Sequence, residues 1–272
     1  MSTSMSGSPY ARSFGAQARA YDRFRPRYPA AALDYVLGTA ADGSVPDDSA
    51  ADGTVPDGTV PDSTARRRIL DLGAGTGLLT RDLLGRAAEV LAVEPDDGMR
   101  AVLAEAVPEA VALAGSAERI PLPDASVDAV LVGQAFHWFA RPAADRELAR
   151  VLRPGGVVGL LWNFTDRSAP WVSELYAATQ QPAPPEGYQP SDLDGALFTA
   201  PQRFRTEVQH ELPGPDGLIG LANTWSWVTT RSPADRQAID RRLRILIGRH
   251  AELQQPIIRL PGWTTVIRQY RR

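Results

Sequence analysis

The stretch Ile69–Leu79, reading I-L-D-L-G-A-G-T-G-L-L, constrains this chain more than any other. An apolar run holding Asp71 leads into glycines at 73, 75 and 77, and Leu78, Leu79 and Thr80 follow as a helix would begin. The order is strand, tight turn, helix start. Glycine adopts positive φ at little steric cost and lets a ligand approach the main chain closely. The first N–H groups of a helix lack partners within it and suit an anionic group. The stretch is expected to cradle a cofactor.

Length and charge set the frame. At 272 residues the chain can form one large α/β unit, alone or with a cap. A formal net charge of −3 gives no global basic field, so neither nucleic acid nor an anionic membrane is an expected partner. With no cysteine, disulfides, thiolate catalysis and Cys-ligated metals are excluded. No apolar run reaches the roughly 18–20 residues that cross a bilayer. Met1–Pro9 has no apolar core of a signal peptide. The expected location is cytoplasmic.

Taken in order, residues 10–24 place Tyr10, Phe14, Ala18, Tyr21 and Phe24 at helical steps. Pro26 and Pro29 stop that helix and allow a second one through Leu37. Residues 40–64 repeat D-G-[S/T]-V-P-D with almost nothing to bury, which reads as a flexible insert. The tract lacks the closing Glu of a calcium loop. From Arg68 strands and helices alternate: strands at about 68–72, 90–94, 110–113, 127–132 and 157–162, helices at about 77–86, 96–106 and 142–152. That rhythm implies right-handed βαβ units and a parallel sheet. Beyond Asn163, helices are expected at about 170–180, 215–223 and 233–253, and strands at 203–212 and 263–270.

The glycine spacing G-x-G-x-G departs from the dinucleotide fingerprint G-x-G-x-x-G, because position 78 is Leu. Glu94 ends the second strand where a ribose could be bound, which suits a nicotinamide or an adenosyl cofactor equally. The wider set is more specific: D-L-G-A-G-T-G at 71–77, V-E-P at 93–95, G-S-A-E at 115–118, I-P-L-P-D-A-S-V-D at 120–128 and V-L-R-P-G-G at 151–156. With these in order, residues 68–162 resemble the class I S-adenosylmethionine-dependent methyltransferases of the small-molecule "methyltransferase 11" type. Y-D-R-F-R-P-R-Y-P at 21–29 and A-F-H-W-F at 135–139 resemble one branch of that superfamily.

The resemblance implies an α/β, doubly wound, mostly parallel seven-stranded Rossmann-like sheet. A helical N-terminal lid (1–39), the insert (40–64) and a methyltransferase domain (65–272) with substrate cap elements at about 164–260 would make up the chain. It implies S-adenosyl-L-methionine as cofactor and gives roles to residues. Gly73, Ala74, Gly75 and Thr76 would pack under the methionine part, and Asp71 would hold its amino group. Glu94 would bind both ribose hydroxyls. Pro95 and Met99 would line the adenine, with Ser116, Ala117 and Glu118 on its other face and edge. Many relatives carry Asp-Ala where this chain has Ser116-Ala117, so a charged contact to the adenine amine is in doubt. Gln134 would sit near the methionine end. Tyr21 and Arg25 would close over the cofactor.

The acceptor side is read from the aromatics. Tyr28, Phe136, His137, Trp138, Phe164 and Trp225 are the candidate substrate residues, suiting a small, largely apolar or aromatic acceptor. His137 and Tyr21 are the catalytic candidates, His137 as a general base. A loop histidine satisfied by backbone is an equally plain reading of His137, while His210 and His250 read as structural. No carboxylate–histidine spacing suggests a metal site. The reaction class stays open among O-, N- and C-methylation, the last with a cationic stage and cyclisation as a variant. Specialised bacterial metabolism, a nicotinamide oxidoreductase and a non-methylating cofactor-binding protein are further readings. The tract at 40–64 would also allow the N-terminal helices to reach a neighbouring copy in a homo-oligomer.

Overall fold

The structure is a computed structural model and describes residues 17–38, 67–181 and 192–272. Its central strand, β1 (Arg68–Leu72), is buried from Ile69 to Leu72. A strand covered on both faces needs a nearly continuous apolar run rather than alternation, and I-L-D-L supplies it except at Asp71. β2 (Glu89–Glu94), β3 (Val111–Ala114), β4 (Val127–Gly133) and β5 (Leu152–Thr165) extend the parallel part of the sheet. β7 (Ile257–Tyr270) then runs antiparallel to both β5 and β6 (Gln202–Pro213). Across the sheet the order is β3-β2-β1-β4-β5-β7-β6. The direction of chain progress reverses between β1 and β4, and a ligand crevice opens at the carboxyl ends of the strands at such a point.

Helices cover both faces. α1 (Ala18–Phe24) and α2 (Ala30–Leu37) precede β1. α3 (Leu78–Leu83), α4 (Asp97–Ala106) and α5 (Ala143–Val151) follow β1, β2 and β4. α2 presents Ala32, Leu33 and Val36 to Ile69, Leu131 and Leu161 on one face, while Leu148 and Val151 of α5 meet Val130, Leu160 and Trp162 on the other. Burying each such large side chain stabilises the fold by roughly 1.5–3 kcal/mol. Gly159 lets α2 approach β5 closely, since a Cβ there would lie 2.5 Å from Val36. A separate apolar cluster joins α6 (Pro170–Ala178), α7 (Gly214–Ala222), α8 (Ser226–Thr229) and α9 (Pro233–Arg249) beyond the end of the sheet. No helix among the described residues is long and apolar enough to cross a membrane.

The seven-stranded, mostly parallel sheet agrees with the sequence reading. Several boundaries differ for physical reasons. The helix expected over 233–253 ends at Arg249, because His250 leaves helical dihedrals and a 3-10 turn occupies Ala251–Gln254. The last strand starts at Ile257 rather than 263 and passes through Pro261-Gly262. Pro261 lacks an N–H, and its carbonyl accepts from Asp166 N–H at 2.9 Å. At Gly262 a Cβ would stand 2.1 Å from the Phe164 carbonyl oxygen. β5 begins at Leu152 rather than 157, and the Arg153–Gly156 turn appears as a break in register between Val127 and Ala129 of β4. Within the described residues the first helix starts at Ala18. Tyr10, Phe14 and the 40–64 repeats lie outside the described residues, as does most of the Pro-rich break at 181–190. Within the described part of the lid expected over 1–39, α2 belongs to the packing layer of the sheet, and Tyr21, Arg25, Pro26 and Tyr28 line the crevice.

Candidate active site

The floor of the crevice is the turn after β1. Gly73, Gly75 and Gly77 all have positive φ, at 74°, 60° and 87°. A Cβ at Gly73 would come within 2.6 Å of Ala135 Cβ, so the turn after β4 rests directly on it, whereas space beside Gly75 is open. Glu94 fixes the turn from the neighbouring strand: Oε2 accepts from Gly75 N–H and Oε1 from Asp96 N–H, both at 2.8 Å. Burial raises the Glu94 pKa, and these two N–H donors oppose the rise. Asp96 caps α4 by accepting from Met99 N–H.

Two atoms on this floor are conspicuous. Asp71 Oδ2 accepts from Thr80 Oγ1 at 2.7 Å, but Asp71 Oδ1 is buried without a partner, and so is Thr76 Oγ1. Burial, against the opposing Thr80 bond, pushes the Asp71 pKa up to about 7, and the Glu94 charge adds to the rise. A buried polar atom without a partner costs about 1–3 kcal/mol. Asp71 and Thr76 both line the crevice. An ammonium or hydroxyl entering there would satisfy them, so the donor set and the open space at Gly75 fit an amino-acid portion of a ligand.

The roof is the segment between α1 and α2. Tyr21, Arg25, Pro26 and Tyr28 line the crevice from above, and Gly133, Gln134 and Asn163 close the far side. Gly133 is required there: a Cβ would sit 2.5 Å from the Tyr28 hydroxyl. Burial raises the Tyr28 pKa well above its ordinary value, so the phenol stays protonated. Gln134 has φ 56° and donates from Nε2 to the Asn163 carbonyl at 2.9 Å. Arg25 stacks over Tyr21 at 4.8 Å and donates from Nε and Nη2 to Thr224 Oγ1 and Thr224 O, at 2.9 and 2.8 Å. The expected lid arginine therefore also ties the roof to the cap.

The remaining expected residues fall into three groups. Glu94, Pro95, Met99 and the Ser116–Glu118 edge lie along the adjoining rim, where Glu94 pairs with Ala114 just before Gly115. Ser116 bridges to Arg119, Ala117 is buried, and Glu118 accepts from Ala140 N–H at 2.7 Å, bracing the turn after β4. His137 and Trp138 form a 3-10 turn on that same side, their rings 4.7 Å apart. Desolvation and the Arg25 charge lower the His137 pKa to about 4. The residue is exposed in part, and the imidazole is neutral at pH 7.

Two of the expected substrate residues are buried in packing. Phe136 is 3% exposed, edge-on to Phe139 and Trp162 in the sheet core, with Arg141 over its ring. Trp225 is 5% exposed and stacked between Tyr176 and Trp227 inside the cap. Packing occupies both rings. Phe164 is half-buried and stacks on Trp263 at 5.8 Å. Sequence reasoning missed Asn163, whose Nδ2 donates to the Arg27 carbonyl at 3.3 Å while its Oδ1 accepts from Thr264 Oγ1 at 2.6 Å. Its position at a strand's carboxyl end, next to Trp162, was the available signal. Thr80 and Thr224 carried none.

Residues 70–160 match the family model of a methyltransferase domain. An uncharacterized methyltransferase of Mycobacterium tuberculosis is 39% identical over 246 residues, covering 89% of this chain and 88% of its own. The chain belongs to the class I S-adenosylmethionine-dependent methyltransferase superfamily. An uncharacterized methyltransferase of Schizosaccharomyces pombe is 38% identical over 159 residues, covering 53% of this chain and 62% of the relative. Among solved structures, a putative type II methyltransferase from Anaeromyxobacter dehalogenans is 25% identical and covers 91% of this chain and 97% of its own, with a TM-score of 0.52. A malonyl-[acyl-carrier protein] O-methyltransferase of Serratia marcescens is 36% identical over 115 residues, 42% of this chain and 44% of the relative. Family membership sets the nicotinamide reading aside, and the methyl donor implied for such a methyltransferase is S-adenosylmethionine.

Proposed function

We propose that this protein transfers the methyl group of S-adenosylmethionine to a small, largely apolar or aromatic acceptor bound beneath the Tyr21–Tyr28 roof. The observation that carries the reading is the pair of buried, unpartnered atoms, Asp71 Oδ1 and Thr76 Oγ1, on the crevice floor. Asp71 is suited to the donor's ammonium and Thr76 to its carboxylate. Glu94, held by two main-chain N–H groups, keeps carboxylate lone pairs for the ribose hydroxyls. Pro95 and Met99 on one side and Ser116–Glu118 on the other would hold the adenine. When bound, the sulfonium supplies an activated methyl group.

The chain's own contribution is placement, exclusion of water and, for a hydroxyl acceptor, removal of a proton. The roof excludes water through Tyr28 against Gly133 and through Asn163 bonded to the roof carbonyls. His137, neutral at pH 7, would serve as the base. Calorimetric titration with S-adenosylhomocysteine and with NADH tests the reading. Binding of the first and not the second is expected, followed by methyl-labelled products when labelled donor is added to a metabolite extract. NADH binding, or no adenosyl binding, would overturn it.

A further inference from the structure

Arg25 has an arrangement that closing the roof does not require. Several neighbouring arginines hold carboxylates: Arg19 pairs with Glu105, Arg27 with Asp82, Arg81 with Asp22 and Arg86 with Asp34, while the exposed Arg23 stacks over Phe24. Arg25 is half-buried in the crevice, yet its hydrogen bonds go to the neutral oxygens of Thr224. Among the described residues no carboxylate forms an ion pair with it. Arginine has five N–H donors. Thr224 takes one from Nε and one from Nη2, and Nη1 plays no part in those two bonds. A partly desolvated guanidinium without a counter-ion is costly, and its planar fork matches a carboxylate.

We infer that Arg25 is a specificity residue that binds a carboxylate on the methyl acceptor, so that the acceptor is an apolar or aromatic body carrying an acid. The inference rests on the methyltransferase reading above. The donor's own carboxylate is the competing source of such an anion. Position favours the acceptor: Thr76 Oγ1 already offers the donor carboxylate a partner on the floor. Arg25 instead reaches away from that floor, from the roof to Thr224 of the cap. An ion-paired carboxylate is a poor nucleophile, so Arg25 orients the acceptor and the reacting atom lies elsewhere on it. Tyr21, stacked under the guanidinium, holds the fork in place.

The test uses the full chain saturated with S-adenosylhomocysteine and three acid–amide pairs as probes: benzoate, 4-phenylbutyrate and octanoate, each against its amide, titrated at pH 7. At least one acid is expected to bind about tenfold more tightly than its amide. Arg25→Gln should bring that ratio near one and Arg25→Lys should keep part of it, with any loss of S-adenosylhomocysteine affinity from the loosened roof well below tenfold in both. No acid preference in the wild type overturns the inference. An acid preference that survives in folded Arg25→Gln overturns it too and leaves Arg25 as a roof-to-cap tie. A tenfold loss of S-adenosylhomocysteine affinity in Arg25→Gln assigns the arginine to the donor instead. Absence of any S-adenosylhomocysteine binding by the wild type is a separate result, which removes the methyltransferase reading itself.

Discussion

At the scale of one residue, Asp71 carries a marked tension between burial and charge. Its pKa of about 7 in the folded chain stands well above the ordinary carboxyl value, so the native state holds the proton more tightly than the unfolded chain does. The stability this contributes is complete below about pH 4 and is lost as pH rises through 7. Asp71→Asn keeps an oxygen for Thr80 and removes the charge. Its melting temperature should match the wild type near pH 4 and exceed it by several degrees at pH 8, the gap opening as pH rises through 7. The same variant should bind S-adenosylhomocysteine at least tenfold more weakly, because the donor's ammonium loses its counter-ion. Parallel melting curves from pH 5 to 8 would show that Asp71 is not the strained group. His137 makes a second prediction at this scale. His137→Ala should lower kcat with little change in donor affinity. In the wild type the acid limb of kcat should fall below the ordinary histidine value of about 6.5, since His137 titrates low. A limb above that value points to another base.

Elements decide how the roof is held. Three separate parts of the sheet and cap grip the Phe24–Tyr28 segment: Asn163 at the end of β5, His210 of β6 through Nε2 on the Phe24 carbonyl at 2.8 Å, and Thr224 after α7. Asp82 of α3 takes Arg27 and the Tyr28 N–H. α2 then continues into the sheet's packing layer, where Gly159 of β5 accepts Val36. Gly159→Ala should force this helix outward, at a cost of about 1–3 kcal/mol in urea unfolding. Because Tyr28 leads directly into α2, the variant should also weaken S-adenosylhomocysteine binding; full affinity in a destabilised variant would separate roof from helix. Little of this gripping is legible in sequence. The glycine turn, Glu94 and the β1–β5 alternation are readable because backbone conformation and strand period leave local marks. Asn163, His210 and Thr224 act across 136 to 199 positions, and no local pattern records such a pairing. Phe136 and Trp225 show the converse limit: an aromatic near an active rim looks the same in sequence whether packing or a ligand occupies it.

At the scale of the whole molecule, the sequence most unlike the rest lies between two elements that the fold brings side by side. α2 ends at Leu37, with Gly38 in the left-handed region as its cap, and β1 starts at Arg68. Arg67 Nη1 donates to the Leu37 carbonyl, so the chain leaves and re-enters the sheet layer at one place. The acidic Gly/Pro repeats between them are thus a connection whose ends the core already holds together. Closing a loop costs entropy that grows only with the logarithm of its length. Replacing residues 41–64 with a four-residue Gly/Ser linker cuts the connection to about a third and should stabilise the chain by about 1 kcal/mol, a rise of roughly 2–4 °C in Tm. S-adenosylhomocysteine affinity and the mass by light scattering should not change. A lower Tm would mean that the repeats contribute packing. A shift in mass would mean that the long connection lets α1 and α2 pack on a neighbouring copy, because a shortened one restricts them to their own sheet.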